Sequence, residues 1–501
     1  MIIKKSKDAM QHYFEDNSGI TGAFADFVCL AQNEDDICSF LADMSRSKIP
    51  VTVAGALTGN TGSGLAFGGA ILSLEQMNQI GDIEVADGKE AFVKVQAGAR
   101  ISDIKDKVKK EGWMYAPDPT EYTAFIGGNI STNASGARGF KFGATRKHVC
   151  ALEVVFSDGS KSFIERGKHI ANNKGIIKFN SDKGEKFIEL PKYVLPKNIK
   201  NAAGYYNYPN ADLIDVLIGS DGTLCVIESA ILNLIPHFKE VFGAVVFFEN
   251  LDKCYDFVKK IKINAAKTKQ ENLKSSINPM SVEFFDKNAL SLVETIYPDI
   301  PKNSNAAVMF EQDIYGDDDE TLLNEIWIAF IEKEVVDLEK IWFAENLDQM
   351  EKFRTFRHKI PECVNEIIKK NKVPKIGTDF AVPEGKLANI MDFLRAEFEK
   401  IGIFNLVFGH IGENHLHANI LAQTQTEYEK CKSMYIEIAK KVVELGGTVS
   451  AEHGIGKSRH IFLEKMLGEN GFIEMAKLKK ALDPANILGR SNIFPEKYLL
   501  Y

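Results

Sequence analysis

A chain of 501 residues is too long for one hydrophobic core, so two or three domains are expected, and 45% hydrophobic with 26% charged residues is ordinary for a folded protein. The net charge of −8 leaves no basic face of the kind nucleic-acid binding needs, so no nucleic-acid partner is expected. The seven cysteines (29, 38, 150, 225, 254, 363, 431) are odd in number, dispersed and without a C-x-x-C pair, which argues against disulfides, zinc ribbons and iron–sulfur clusters on this chain.

The opening MIIKKSKDAMQHYFEDN has no apolar stretch long enough for a signal peptide and is too acidic for a transit peptide. No run approaches the roughly eighteen apolar residues of a membrane span. A reducing cytoplasm is therefore the expected setting, with peripheral attachment to the inner face of a membrane as a variant. From 34 the pattern predicts a helix and then a short strand, VTV, that opens onto a glycine-rich turn. FVKVQAG (92–98) alternates as a strand, and SDIKDKVKKEG (102–112) reads as a helix capped by Ser102 and ended by Gly112. ALEVVFSDGS (151–160) is a strand running into an Asp-Gly turn. The lysine-rich stretch up to about 200 reads as an inserted, partly solvated region, and residues 212–236 return to apolar, glycine-punctuated text that closes at Pro236.

Beyond it, GAVVFFEN (243–250) and LDKCYDFVKKIK read as strand then helix. SVEFFD (281–286) and AAVMFEQD (306–313) read as strands, and residues 319–350 as one long helix-like run. NLVFGH (405–410) and HLHANIL (415–421) are predicted strands before a helix over 426–447. This second block is α+β on an antiparallel sheet. The last fifty residues hold SAEHGIGKSR and a lysine-rich helix ending at Asp483-Pro484.

Three segments of the first block are rich in backbone and poor in side chains. AGALTGNTGSG (54–64) follows a strand and lets N–H groups converge on an anion. It is not the dinucleotide fingerprint, because Gly62, Gly64 and Gly68 miss the spacing by one residue, and the loop contains no Gly-Lys-Ser/Thr. Residues 117–149 combine a proline-rigid turn, Gly127-Gly128 and the small polar residues Ser131, Thr132, Asn133 and Ser135. GSDGTLCVI (219–227) repeats the recipe. Such a set suits a large planar cofactor that carries a pyrophosphate.

Together these stretches resemble the FAD-binding domain of the vanillyl-alcohol-oxidase, or PCMH-type, flavoproteins. From about residue 25 onward the chain resembles their D-lactate, glycolate and D-2-hydroxyglutarate dehydrogenase branch. The resemblance implies an α+β fold: a two-subdomain PCMH-type FAD-binding domain over 25–236, preceded by an extension over 1–24. An antiparallel-sheet substrate-cap domain that bears the metal would follow over 237–450, and a C-terminal segment over 451–501 would return to the FAD domain. It places Gly55, Leu57, Thr58, Gly59, Asn60 and Thr61 around the pyrophosphate, with Pro117 and Thr120 nearby. Gly127, Gly128, Ser131, Asn133, Ser135 and Gly136 would run beside the flavin, and Gly222, Thr223 and Ile227 would close the site. Asp221 stands where relatives usually carry glutamate. Members that tether FAD use a histidine or cysteine near the first loop; residues 50–70 contain neither, so non-covalent FAD is expected.

GHIGENHLH (409–417) concentrates three of the chain's ten histidines in nine positions. On one continuous strand His410 and His417 would face opposite ways, but a turn at Gly412-Glu413-Asn414 can bring both imidazoles to one point. Two imidazoles and a carboxylate leave coordination positions open, as a catalytic divalent metal needs. The segment is similar to the branch's G-H-x-G-D-G-N-x-H, and AEHGIG to its E-H-G-I-G. By that match His410, His417 and Glu452 are metal ligands and His453 is the catalytic base. The metal would be zinc, with manganese or iron as alternatives. Glu413-Asn414-His415 departs from D-G-N; His415 is either an extra ligand or a turn residue, and the turn is the reading preferred from sequence.

A 2-hydroxy acid needs a cation for its carboxylate, and arginine supplies a planar fork. KFRTFRHKIPE (352–362) resembles the branch's L-W-x-x-R-x-x-I with Arg357 at the arginine; the competing reading is a solvated helix face bearing Arg354 and Arg357. Asn419 falls where relatives have a substrate-contacting asparagine, Lys375 is a looser candidate beside GTDFAVP, and Gly489-Arg-Ser-Asn492 replaces the relatives' N-P-G-K. The resemblance implies oxidation of a D-2-hydroxy acid, D-lactate first and glycolate or D-2-hydroxyglutarate as alternatives, by hydride transfer to FAD. A non-redox flavoenzyme like the alkyl-dihydroxyacetone-phosphate synthases is the other reading. Without iron–sulfur or haem-attachment motifs, electrons must leave to an electron-transfer flavoprotein, iron–sulfur protein, cytochrome, quinone or oxygen. A homodimer is compatible with the resemblance.

Overall fold

The computed structural model describes residues 1–86, 88–273, 275–334 and 340–500. Its first sheet has the strand order Ile2–Lys4, Phe27–Leu30, Ala70–Ser73, Val51–Ala54. The last three run parallel and the first is an antiparallel edge, so the strand Ile2–Lys4 ties the N-terminal extension to this sheet. The helix Glu34–Ser47 packs on it through Ile37, Phe40 and Leu41. Asn33 caps that helix by accepting the Asp36 N–H, and three acids in the first turn complement the helix dipole.

The second sheet is antiparallel: Ile80–Val85, Ala91–Gln96, Val226–Pro236, Val149–Val155 and Lys161–Glu165 in spatial order, with Trp113–Met114 paired to the end of Val226–Pro236. Along Ala91–Gln96 the residues Ala91, Val93 and Val95 are buried while Lys94 faces water, the period-two pattern of a sheet with one wet face. The neighbouring helix spans Ile101–Lys110, and Ser102 does not cap it. Its first N–H groups are instead satisfied by the carbonyls of Ala124 and Tyr122, a tertiary contact that local sequence cannot announce. The lysine-rich stretch also differs from its reading as a solvated insertion. It folds into the hairpin Ile176–Ser181 with Gly184–Glu189, which buries Ile177, Phe179 and Ile188.

The third sheet has eight strands, all antiparallel: Ile341–Ala344, Glu240–Phe248, Ala306–Ile314, Ser281–Asp286, Asn405–Gly409, His415–Ile420 and Ile376–Gly377 in order, with Phe380–Ala381 also on His415–Ile420. The helices Leu251–Glu271, Asp317–Glu334, Leu347–Asn371, Leu387–Ile401 and Gln425–Glu444 pack with it. The run read as one helix over 319–350 is two helices with the strand Ile341–Ala344 between them; residues 335–339 lie outside those described. Trp327, fully buried, stacks on Phe310 at 4.1 Å and seats the first of these helices on the sheet. Such a pair adds about 0.5–1.5 kcal/mol beyond its area. Among the described residues no helix is long and apolar enough to cross a membrane.

The C-terminal segment ties back to the first sheet. After the helix His460–Leu482, which is interrupted at Gly468, the Val51 N–H donates to the Ile487 carbonyl and the Gly489 N–H to the Val51 carbonyl. The turn is held by a buried ion pair. Lys479 Nζ lies 2.7 Å from Asp483 Oδ2 and donates also to the carbonyls of Thr223 and Leu488. Asp483 in turn accepts the N–H groups of Ile487 and Leu488. Lys479→Met therefore leaves a buried carboxylate without its cation, which typically costs about 3–5 kcal/mol. Thermal unfolding of this variant is expected to shift strongly downward, whereas Lys477→Met, on the exposed side of the same helix, should leave the transition where it is.

Candidate functional site: a cofactor cavity joined to a histidine–carboxylate cluster

A cleft opens where the first two sheets meet. Gly55, Leu57, Thr58 and Gly59 line it from the first glycine loop, Gly127, Gly128 and Ser131 from the short helix Ile126–Thr132, and Gly222 and Ile227 from the third segment. Glycine is required at 127 because a Cβ there would stand 2.7 Å from the Ala97 side chain. Two buried polar atoms in the lining, Asn129 Nδ2 and Asp221 Oδ1, have no hydrogen-bond partner among the described residues. A narrow cleft walled by backbone and carrying orphaned polar groups fits a planar polar cofactor.

The other residues expected at the cofactor do not line this cavity. Asn60 is exposed, and the Thr61 carbonyl accepts the Lys457 and Ser458 N–H groups. Pro117 is buried and Thr120 exposed in a loop whose Asp118 bridges to Gly136. Asn133 ends its helix in a left-handed conformation and accepts the Arg146 N–H. Thr223 is fully buried against Tyr205 and the Ser220 carbonyl. Ser135 donates to Glu452 Oε2 at 3.1 Å, so the segment 127–136 leads from the cavity to the histidine cluster.

The loop 452–456 makes the second connection. The Gly456 N–H donates to Asp221 Oδ2, and a Cβ at Gly456 would meet the Thr61 carbonyl at 2.3 Å. Burial, partly offset by that N–H, pushes the Asp221 carboxyl up to about 6. Asn492 donates to the carbonyls of Ser63 and Asp221 and accepts from Lys457. This departure from the relatives' N-P-G-K therefore serves as a bracket between two cofactor loops.

At the cluster, the turn over Ile411–Glu413 with left-handed Asn414 folds the strand Asn405–Gly409 back on His415–Ile420. His410 and His417 thereby face one point although they are an odd number of residues apart. His410 Nε2 is 3.6 Å from Glu452 Oε2 and His417 Nε2 is 3.3 Å from Glu452 Oε1. His415 joins them instead of serving the turn. It is fully buried, with Nδ1 4.0 Å from Glu452 Oε2, and it shares a strand face with His417 and Asn419. Donor atoms of His410, His415, His417 and Glu452 all lie within 4.8 Å of one another, a set able to hold a divalent cation.

His453 borders the cluster, and its ring lies 5.4 Å from that of His417 at an interplanar angle of 20°. Its Nδ1 is 3.3 Å from Asp379 Oδ2 and 3.4 Å from Arg459 Nη2, which donates to it, while Nε2 is 3.5 Å from Glu452 Oε1. Burial, together with Arg459, pushes His453 down to about 4 against the pull of Asp379 and Glu452, so the imidazole is neutral at neutral pH. Burial and Lys200 likewise push His415 down to about 3. For His410 burial and Lys200 act in the same sense, but Glu283 and Glu452 outweigh them and hold it up to about 9 without a metal.

Four residues that sequence reasoning did not single out organise this site. Asp379 lies in the GTDFAVP element, and Glu283 accepts from His410 Nδ1 at 2.6 Å and from Arg357 Nε at 2.9 Å. Lys200, expected in solvated text, is buried between Glu413 and Glu452 at 3.2 and 2.9 Å, and Arg459 pairs with Asp379 at 2.8 Å. Arg357 is thus not part of a solvated face. Arg354 also turns inward, to Glu311 at 2.7 Å. Asn419 is buried beside Gly377, and Lys375 lies along the same edge with no hydrogen-bond or ion-pair partner among the described residues.

The chain matches two protein-family descriptions. Residues 25–161 match the FAD binding domain, and residues 244–493 match the C-terminal domain of FAD linked oxidases. It is 28% identical to the glycolate oxidase subunit GlcD of Bacillus subtilis over 94% of this chain and 89% of that protein. It is 27% identical to a D-lactate dehydrogenase of Anaerostipes hadrus, over 92% of this chain and 88% of the relative. A D-lactate dehydrogenase of Archaeoglobus fulgidus is 26% identical over 93% and 90%. Among solved structures an alkyldihydroxyacetonephosphate synthase superposes with a TM-score of 0.61 over 97% of this chain and 82% of the other at 14% identity, a likeness of fold.

Because Glu283 alone fixes both the ring of His410 and the guanidinium of Arg357, Glu283→Gln is expected to weaken divalent-metal binding roughly 10–100-fold while leaving the cofactor cavity filled. Metal titration of the variant, with flavin content measured in parallel, checks both halves of that expectation.

Proposed function

We propose that this chain, which belongs to the FAD-linked oxidases with a PCMH-type FAD-binding fold, oxidises a small D-2-hydroxy acid, D-lactate first, to the 2-oxo acid. The observation that carries this reading is the pair of bridges, Ser135–Glu452 and Gly456–Asp221, that set a neutral histidine and a cation-binding cluster against the cofactor cavity. The named activities of the relatives, glycolate oxidase and D-lactate dehydrogenase, support the same substrate class. When bound, FAD takes the hydride lost from C2 and a divalent ion at His410, His417 and Glu452 lowers the hydroxyl pKa.

The chain's own residues position and deprotonate. Asp379 stands 3.3 Å from His453 Nδ1, and the tautomer that carries its proton on Nδ1, toward Asp379, leaves Nε2 to take the hydroxyl proton as the C2–O bond becomes a carbonyl. The same carboxylate stabilises the imidazolium that results, as a buried aspartate does for the general-base histidine of hydrolases. Arg357 keeps its Nη atoms for a substrate carboxylate, and Asn419 on the His417 face offers an amide to it. The electrons then pass to a separate acceptor: an electron-transfer flavoprotein, iron–sulfur protein, cytochrome or quinone.

FAD is held here without a covalent bond. Residues 50–70 offer no histidine or cysteine, and the cysteine in the cavity wall, Cys225, has a thiol that burial pushes up to about 12. Acid precipitation of the protein should release its yellow colour into the supernatant; colour kept in the pellet would contradict this.

Anaerobic mixing with D-lactate, glycolate and D-2-hydroxyglutarate tests the activity by the bleaching of the flavin. D-lactate is expected to bleach it, chelator treatment to stop the bleaching without releasing FAD, and added divalent metal to restore it. His453→Gln should keep both flavin and metal yet slow reduction by about 10²–10⁴-fold. No bleaching with any of the three acids would remove the reading, and normal turnover by His453→Gln would remove the proton path.

A further inference from the structure

We infer that His415 is a fourth protein ligand, so that this chain holds its divalent ion with three imidazoles and one carboxylate; this rests on the metal reading of the cluster. The three rings are held alike. Each ties one nitrogen to an oxygen outside the cluster: His410 Nδ1 to Glu283 at 2.6 Å, His415 Nε2 to Asp379 at 3.0 Å, and His417 Nδ1 to the Thr378 carbonyl at 3.1 Å. Each turns its other nitrogen toward Glu452, at 3.6, 4.0 and 3.3 Å. An outer oxygen that fixes ring orientation and tautomer is the usual support of a metal-binding imidazole.

The tautomer of His415 follows from its partner. Asp379 accepts the backbone N–H groups of Glu452 and His453, the Ser450 hydroxyl and Arg459 Nη1, so it is an ionised acceptor. His415 Nε2 must then carry the proton, and Nδ1 presents a bare lone pair to the cluster. That atom is buried and has no hydrogen-bond partner. Burying an acceptor without a partner is unfavourable, and a cation between the three rings and Glu452 satisfies it.

The consequence is chemical. A tetrahedral zinc held by four protein donors is a closed, structural site with no position for substrate. An ion here that also chelates a 2-hydroxy acid must accept five or six donors. A nitrogen-rich set of this kind suits Fe(II), Co(II) or Ni(II) better than manganese or magnesium.

The test uses the whole flavoprotein, stripped of metal and titrated with Co(II) and with Zn(II) against a chromophoric chelator. His415→Asn is expected to weaken binding of both ions by roughly ten- to a hundred-fold, with FAD content unchanged. X-ray absorption of the Co(II)-loaded wild type should require three imidazoles, and this second measurement stands if the variant misfolds. Wild-type affinity in His415→Asn, or two imidazoles in the wild type, overturns the assignment of His415 and leaves the metal site intact. A wild-type protein that binds neither ion overturns the metal reading along with it.

Discussion

The carboxylate of Asp379 is the constraint on which the rest of the site depends. It is fully buried, yet His415, Ser450, Arg459 and the N–H groups of Glu452 and His453 all point at it, and His453 Nδ1 stands beside it. Burial alone would raise its pKa; the donors that surround it, with the Arg459 guanidinium the standing positive charge among them, reverse that and hold it well below the usual carboxylate range. A charge kept in such a place organises its surroundings, because every donor that turned away would leave it uncompensated. One side chain thus fixes a cluster histidine, the neighbouring base and the backbone of the loop that carries Glu452. It also joins two parts of the chain, since it follows the strand Ile376–Gly377 while Glu452 and His453 belong to the C-terminal segment.

A second set of buried charges aligns the sheet that carries the histidines with the sheets that wall the cavity. Arg138 lies between Asp118 and Glu311, at 3.5 and 3.1 Å, and Arg354 pairs with the same Glu311. Close packing supplements them: a Cβ at Gly139 would stand 2.4 Å from Glu413 and one at Gly412 would stand 2.8 Å from Phe140. Ion pairs of this kind add little net stability, but breaking one is costly, so they select a single relative placement. That placement brings Ser135 within reach of Glu452.

Much of this was legible in the sequence wherever the signal is local. The glycine runs marked the cavity walls at 55–59, 127–128 and 222, and the turn formers at 412–414 marked the reversal that joins His410 to His417. His415 was legible as well: HLHANIL read as a strand already places 415 and 417 on one face, and the turn reading set that period aside. The organising residues were not legible, because each acts across a long stretch of chain. Glu283 meets His410 127 residues away, and Lys200 meets Glu452 252 residues away. Nothing near Lys200 distinguishes it from the solvated lysines around it. Ser102 failed as a cap for the same reason, a distant carbonyl having taken its place.

The balance of charge bears on the substrate. Glu283 is matched by Arg357, Asp379 by Arg459, and Glu413 and Glu452 share Lys200. Among these groups the carboxylates exceed the cations by one, so a divalent ion leaves one positive charge over. A single substrate carboxylate neutralises it. Loss of the hydroxyl proton would return the negative excess, but on the proposed path the proton goes to His453, beside Asp379 and within the same cluster, so the total does not change. A dicarboxylate would bring one more negative charge than these pairs can absorb, and it would call on Lys375, whose ammonium has no partner among the described residues and lies along the Asn419 edge. The pairing therefore favours a small monocarboxylate, with Lys375 the position at which a longer, doubly charged acid would have to be accommodated.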